Sequence, residues 1–286
     1  MTLSELRRHL RPMWPALDVH VHPLAGLGAL RPASAREDAR LIREAARRAG
    51  VEKACLFSVH PAHPYEPTAA QCREANDYVR EMRDAAPDFF LPFCYVSPMY
   101  PDEAVAEIDR RIRGEQMCGI KLWVARRATD PGLDPILSEA AALGVPVLQH
   151  AWDKTTGNLP GESFPADVAD LARRHPNVNI IMAHLNGCGL RGIEQVADCP
   201  NVFLDTSGGD PESGMVDAAV ATVGPGRVVF GSDLPVRLFG ACLGKVLGTD
   251  LPDGAKRDIL WNNAARLLPK WAEVRPLEGG AVWSST

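Results

Sequence analysis

The chain reads as an α/β protein, a single-domain (β/α)8 TIM barrel, on three observations. Apolar runs and helical patterns alternate eight times, the rhythm of strand–helix units. The apolar runs are near-continuous, as expected of parallel strands buried on both faces. No Gly-x-Gly-x-x-Gly follows an early strand, which removes the main signature of a doubly wound open sheet. At 286 residues the chain is long enough for one such barrel.

Each unit has its own justification. Met1 to Pro15 is a short amphipathic lead-in closed by Pro12 and Pro15, and the first strand runs from Ala16 to His22. Pro23 to Pro32 is a Gly/Pro loop. Ser34 then offers an N-cap to a helix over Ala35 to Ala49 that ends at Gly50. Val51 to Val59 is a continuous apolar strand followed by the loop His60-Pro61-Ala62-His63-Pro64. A helix from about Thr68 to Ala86 precedes the third strand, Phe89 to Val96, and the third helix, Asp102 to Arg113. The fourth strand, Gly119 to Val124, carries a lysine, and the helix Leu133 to Leu143 stops at Gly144. Strands follow at Pro146 to His150 and Val178 to His184, with a helix from Pro165 to His175 between them. A short helix leads to the strand Val202 to Asp205 and its turn Thr206 to Gly209. Ser213 to Val223 is helical, Arg227 to Asp233 is the last strand and Pro252 to Leu268 the closing helix. No linker interrupts this order. The chain therefore reads as one domain over 1–286, with the barrel at 16–268 and a loosely packed tail at 269–286.

Composition excludes several classes of function. The net charge of −5 comes from interspersed acidic and basic residues, so no surface for nucleic acid or anionic lipid stands out. The paired arginines (Arg7-Arg8, Arg47-Arg48, Arg110-Arg111, Arg173-Arg174) fall in helical patterns and read as solvated faces. Seven scattered cysteines without Cys-x-x-Cys argue against a disulfide framework or a thiolate zinc site, and for a reducing compartment. No apolar run is long enough to span a bilayer and the N-terminus has no leader-like core. The expectation is a cytoplasmic protein acting on a small molecule, with self-association left open.

The chemistry is expected at the C-terminal ends of the strands, where barrel active sites lie. Asp18-Val19-His20-Val21-His22 leads the set. Strand side chains alternate, so His20 and His22 share a face and can chelate a divalent metal. Asp18 shares that face and is expected to orient one of the rings. His-x-His arises by chance about 0.2 times in a chain with 8 histidines among 286 residues, so context must carry it. That context is His60, Lys121, His150, His184, Asp205 and Asp233, each at the end of a later strand. A lone histidine ending an apolar run is more often structural; four histidines and an aspartate on converging strand ends are hard to explain as packing.

Asp18 to His22, Gly119-Ile-Lys-Leu-Trp123, His150, Ala183-His184-Leu185, Phe230-Gly-Ser-Asp-Leu-Pro235 and Asn263-Ala-Ala-Arg-Leu-Leu268 together resemble the amidohydrolase superfamily. More narrowly they are similar to its branch of metal-dependent hydrolases that also contains the aminocarboxymuconate semialdehyde decarboxylase-like enzymes. The resemblance implies that His20, His22, His150 and Asp233 bind the metal. It implies that His184 binds a second metal or contacts the attacking water, and that Asp233 takes a proton from that water. Two imidazoles and a carboxylate suit zinc, with manganese or iron also compatible. Lys121 matches the lysine that some superfamily members carboxylate to bridge two metals; a plain ammonium that orients a substrate carboxylate or pairs with Asp205 is the other reading. The related branch often has a histidine where this chain has Trp123.

Function follows at the same level. The leading expectation is a metal-dependent hydrolase of a small amide, lactone or ester, with Asp233 and His184 as catalytic groups. The alternative is non-oxidative decarboxylation of an aromatic or enoic acid, which needs a cationic clamp; Arg126, Arg127, Arg237 or Lys121 could provide it. A metal-free binding barrel is disfavoured, because burying many titratable groups without use is costly. His60, His63, Trp123, Trp152, Asp153, Lys154 and Arg237 are candidates for shaping the substrate site.

Overall fold

In the computed structural model, residues 2 and 12–277 are described. Eight strands run in parallel in the order β1 to β8. They are β1 (Ala16–Val21), β2 (Val51–Leu56), β3 (Phe90–Tyr95), β4 (Gly119–Leu122), β5 (Val147–Gln149), β6 (Ile180–Met182), β7 (Val202–Asp205) and β8 (Val228–Val229). A parallel bridge from Val21 to Leu234 closes the sheet. Around it, Val19 N donates to Phe230 O at 2.9 Å and Asp233 N to His20 O at 2.8 Å. The expected (β/α)8 TIM barrel is therefore what forms. The strands are shorter than the apolar runs, since the run after β8 bonds across to β1 as irregular backbone.

The helices are α1 (Ala35–Ala49), α2 (Ala69–Ala85), α3 (Pro101–Ile108), α4 (Asp134–Leu143), α5 (Pro165–Arg174), α6 (Leu185–Gln195) and α7 (Met215–Val223), followed by α8 (Phe239–Leu247), α9 (Asp253–Arg257) and α10 (Asn263–Leu267). Ser34 caps α1 by accepting from Glu37 N, and Gly50 ends it at φ 89°, where only glycine is unstrained. The core has two layers. Leu17, Val19, Phe57, Phe93, Leu148, Ile181 and Val229 fill the barrel interior. Ile42, Val79, Met82, Ile108, Ile136 and Leu171 pack between strands and helices.

Three features depart from expectation. Helix α8 forms where no helix was expected; its sequence, Phe-Gly-Ala-Cys-Leu-Gly-Lys-Val-Leu, has two glycines and weak propensity, so packing must secure it. The closing helix is three pieces, with a π segment at Asp258–Asn262 between α9 and α10. A second π segment, Asp109–Gly114, follows α3 and contains Arg111. Arg111 is not on a solvated face. It is fully buried, donating to Glu107 at 2.7 Å, Asp77 at 2.7 Å and Glu115 at 2.9 Å. Residues 1 and 3–11 of the lead-in and 278–286 of the tail lie outside the described residues. Within the tail, Leu277 N donates to Asn262 at 2.7 Å, and Arg275 O accepts from Trp261 at 2.7 Å, so its first part is tied to the barrel. All seven cysteines are free and buried. Among the described residues no helix is long and apolar enough to cross a membrane.

Candidate metal centre

The closure of β8 onto β1 builds the centre. His20 and His22 project to the same side, with their Nε2 atoms 3.3 Å apart. The hydrogen bond from Asp233 N to His20 O places Asp233, at φ 63°, so that its Oδ1 lies 3.4 Å from both Nε2 atoms. All three side chains are buried, and their ligand atoms lie within 4.8 Å of one another.

Asp205, at the end of β7, orients His20: the ring Nδ1 donates to its Oδ2 at 2.6 Å. Ser207 Oγ donates to the same oxygen at 2.7 Å, and Ser207 N donates to Oδ1 at 2.9 Å. Burial pushes the Asp205 carboxyl up to about 6, against the pull of Ser207 and Lys121. Asp205 is thus the ring partner that Asp18 was expected to be. Asp18 instead accepts the backbone N–H groups of His20 (2.8 Å) and Ser232 (3.0 Å), so it braces the strand closure. Gly231 gives Asp205 its room, since a Cβ there would lie 1.9 Å from Asp205 Oδ1.

A divalent metal fits this geometry. The bond to Asp205 puts the His20 proton on Nδ1, which leaves Nε2 as a lone pair facing another ring nitrogen and a carboxylate oxygen. Burial lowers the pKa of both His20 and His22, so a neutral pair is favoured. Burial raises Asp233, but the bond to His22 and the field of His20 hold it below the ordinary value. Acceptors aimed at one point need a cation between them, and two imidazoles with one carboxylate form a common divalent set.

Across the cavity lies a second polar group. His150 Nε2 is 2.8 Å from Glu162 Oε1, and its Nδ1 is 3.2 Å from His184 Nε2. His184 Nδ1 is in turn 3.1 Å from Ser207 Oγ. Glu162 also accepts from Lys154 Nζ at 2.8 and 2.7 Å and from Leu159 N at 2.9 Å. Burial would raise it, yet these bonds hold its carboxyl at about 2. Ionised Glu162 therefore fixes the His150 proton on Nε2 and turns its Nδ1 lone pair to His184. Ser207 has one hydroxyl proton for two acceptors, Asp205 and His184, and so couples the two groups. Lys245 of α8 holds this turn by donating to Thr206 O at 3.1 Å and Gly208 O at 3.0 Å. Gly208, at φ 79°, allows the approach, because a Cβ there would lie 2.6 Å from His184 Cβ.

Between the two groups lies a cavity of about 180 Å³ lined by both, by Lys121 and by Trp123 and Trp152. Lys121 is buried, with Nζ 4.7 Å above the Phe57 ring centroid. It has no ion pair or hydrogen bond among the described residues, so it does not pair with Asp205. Burial pushes its ammonium down to about 7, while Asp233 and Asp205 act to raise it. The two loop histidines separate. His63 lines the cavity with its ring 6.5 Å from Trp123, whereas His60 turns to Glu74 at 3.2 Å. Arg127 is tied to Asp167 at 2.9 and 2.7 Å, Arg126 pairs with Glu66 and Asp130, and Arg237 bonds Val236 O; none lines the cavity. A larger groove of about 910 Å³ lies beside Leu91 and Cys118 near the strand starts, away from all of this chemistry.

Sequence reasoning missed Glu162, Ser207 and Lys245. Glu162 lies in a polar Gly/Pro loop that gives no local signal, and the others act through the fold alone.

The family model for amidohydrolases matches residues 17–270. The chain belongs to the amidohydrolase family. This bears out the expected superfamily. No curated protein matches the sequence. Among solved structures, 2,6-dihydroxybenzoate decarboxylase from Rhizobium is 19% identical with a TM-score of 0.70, over 89% of this chain and 98% of that one. A 5-carboxyvanillate decarboxylase from Novosphingobium aromaticivorans, complexed with manganese and a nitrobenzoic acid, is 16% identical with a TM-score of 0.67, over 89% and 96%. A 4-oxalomesaconate hydratase from Rhodopseudomonas palustris is 16% identical with a TM-score of 0.66, over 90% and 97%. At these identities the likeness establishes the fold.

Proposed function

We propose that this amidohydrolase-family protein is a metal-dependent, non-oxidative decarboxylase of a small planar aromatic or enoic acid. The observation that carries the reading is Lys121, a buried amino group with no hydrogen bond or ion pair among the described residues, at the wall of a cavity lined by two tryptophans. Decarboxylation breaks the bond between the carboxylate and a ring or vinyl carbon; that carbon keeps the electron pair, takes a proton, and carbon dioxide leaves. The substrate needs a cation for its anionic oxygens, aromatic walls for its plane and a nearby proton carrier. Lys121, Trp123 with Trp152, and His184 or Asp233 fill those parts. When bound, the metal supplies a Lewis acid for substrate oxygens. The decarboxylase names of several solved relatives support the same reading, and the manganese in two of them favours manganese over the expected zinc.

A hydrolase remains the second reading, favoured by the burial of Lys121 on the cavity wall. Burial pushes its ammonium down to about 7, and the free amine is the form that takes up carbon dioxide to bridge two metals. Carboxylation would remove the cation, so the two readings exclude each other at Lys121. One substrate screen separates them: hydroxybenzoates and muconate-like acids followed by carbon dioxide release, and lactones, amides and esters by proton release. Turnover is expected in the first panel, with kcat/KM falling about 10- to 150-fold in Lys121→Met, the range for a hydrogen bond to a charged group. Turnover confined to the second panel overturns the proposal.

A further inference from the structure

The chemistry is shared unevenly around the site cavity. The ends of β1, β5, β6 and β8 bring imidazoles and Asp233, whereas Leu27, Val59 and Trp123 come from the loops after β1 and β2 and the end of β4. These three side chains pack as one apolar patch, backed by buried Cys72, Ala75 and Tyr95. Leu27 sits on a fixed turn. Leu24 N and Ala25 N donate to the buried carboxyl of Asp38 at 3.0 and 3.1 Å, and Gly28 N donates to Leu24 O at 2.8 Å. The patch continues outward through two more rings. Trp123 lies 6.5 Å from the ring of His63 and 5.7 Å from that of Tyr65, which is exposed. Burial, with His22 and His60 nearby, lowers the His63 pKa, so this ring brings no charge at neutral pH.

Cations are scarce by comparison. Among the described residues that line the cavity, Lys121 is the only lysine or arginine. One carboxylate is met by Lys121 and the metal corner. A second charged group would have to lose its water against the apolar patch without a partner, which is costly. An alkyl or aryl group gains there instead.

We propose that Leu27, Val59 and Trp123 form a specificity subsite, and that the substrate is an acid with one carboxylate and an apolar substituent that lies against them. The assignment rests on the cavity being the site of an acid, as proposed above, and narrows that reading to monoacids; it does not depend on which bond is broken. Val236 lines the cavity and is itself exposed, so a substituent longer than the cavity can reach solvent.

Calorimetric binding to the manganese-loaded protein tests this without turnover. The probes are benzoate, its 3- and 4-methyl, ethyl and propyl derivatives, the matching benzamides, isophthalate and terephthalate. Along the better of the two alkyl series, affinity should rise about two- to fourfold per added methylene. The dicarboxylate of that series should bind at least about tenfold more weakly than the propyl derivative. Leu27→Ser and Trp123→Gln should lose the rise, and Leu27→Arg should strengthen the dicarboxylate about tenfold. Near-ultraviolet circular dichroism confirms that each variant is folded. A flat alkyl series in the wild type overturns the proposal, as does a rise that survives unchanged in both folded Leu27→Ser and Trp123→Gln. Benzamides that bind as tightly as the benzoates, with the same rise, would overturn the acid reading of the site and leave the apolar subsite in place.

Discussion

The two ends of this barrel are built to different rules. Of six non-glycine residues in the left-handed region among the described residues, four sit at the C-terminal ends of the strands, His60 (φ 70°), His63 (45°), His184 (68°) and Asp233 (63°), and two, Gln116 and Glu273, lie elsewhere. Buried acids, imidazoles and Lys121 crowd the same end. Toward the strand starts the interior is apolar, with Leu17, Leu91, Phe93 and Leu148 packed together and Trp261 and Leu267 below them. Backbone in the left-handed region costs of order 1–3 kcal/mol per residue, and unpaired buried charge costs more. The site end is therefore a net drain on stability that the apolar end must offset. Function and stability should separate along the barrel axis.

The largest break in that comparison is expected at the triad. Asp233→Ala should lower kcat/KM by about 10³-fold or more, yet leave the metal-free protein as stable as wild type or more so. Matched kinetics and urea melts check both halves; an unfolded Asp233→Ala would contradict the separation. The opposite pattern belongs to Leu17→Ala, fully buried at the apolar end. It should cost about 2–5 kcal/mol in stability while activity per folded molecule is unchanged. Between these lies Asp205→Asn, which keeps the shape but loses the charge that fixes the His20 tautomer. Metal affinity should fall about 10- to 100-fold, as read by competition with a chelator.

The smallest expected effect depends on pH. The Glu162 carboxyl lies at about 2 in the folded protein against 4.5 for the free group, so its bonds stabilise the fold above 4.5. That contribution fades as pH falls from 4.5 toward 2. Metal-free Glu162→Gln should be less stable than wild type at neutral pH, with the gap closing across that window in urea midpoints. A gap that stays constant would show that the charge of Glu162 contributes nothing.

The contrast between the ends also explains what was legible in the sequence. Strands β1 to β8 were visible as apolar runs, because burial on both faces leaves a continuous pattern. His20, His22, Lys121, His150, His184 and Asp233 were visible because a barrel brings strand ends together whatever lies between them. What governs their orientation was not. Asp18, two residues from His20, was expected to orient its ring, while the actual partner, Asp205, lies 185 residues away. Local spacing says which face a side chain takes, not which partner reaches it first. Glu162 and Ser207 are invisible for the same reason. Helix α8 was lost to its glycines, and Arg111 to the assumption that a charged pair in a helical pattern faces water.

The buried cysteines have a consequence of their own. Burial raises the pKa of all seven thiols, and none is exposed to solvent in the folded barrel. Only the thiolate reacts with an alkylating reagent, so each cysteine stays silent until its own neighbourhood opens. The chain thus carries seven internal clocks at different depths. Cys55 lies on β2 inside the barrel, Cys94 on β3 against the helices, Cys188 on α6 beside the site and Cys242 on α8. The order in which they are alkylated in the native protein would show which stave of the barrel loosens first.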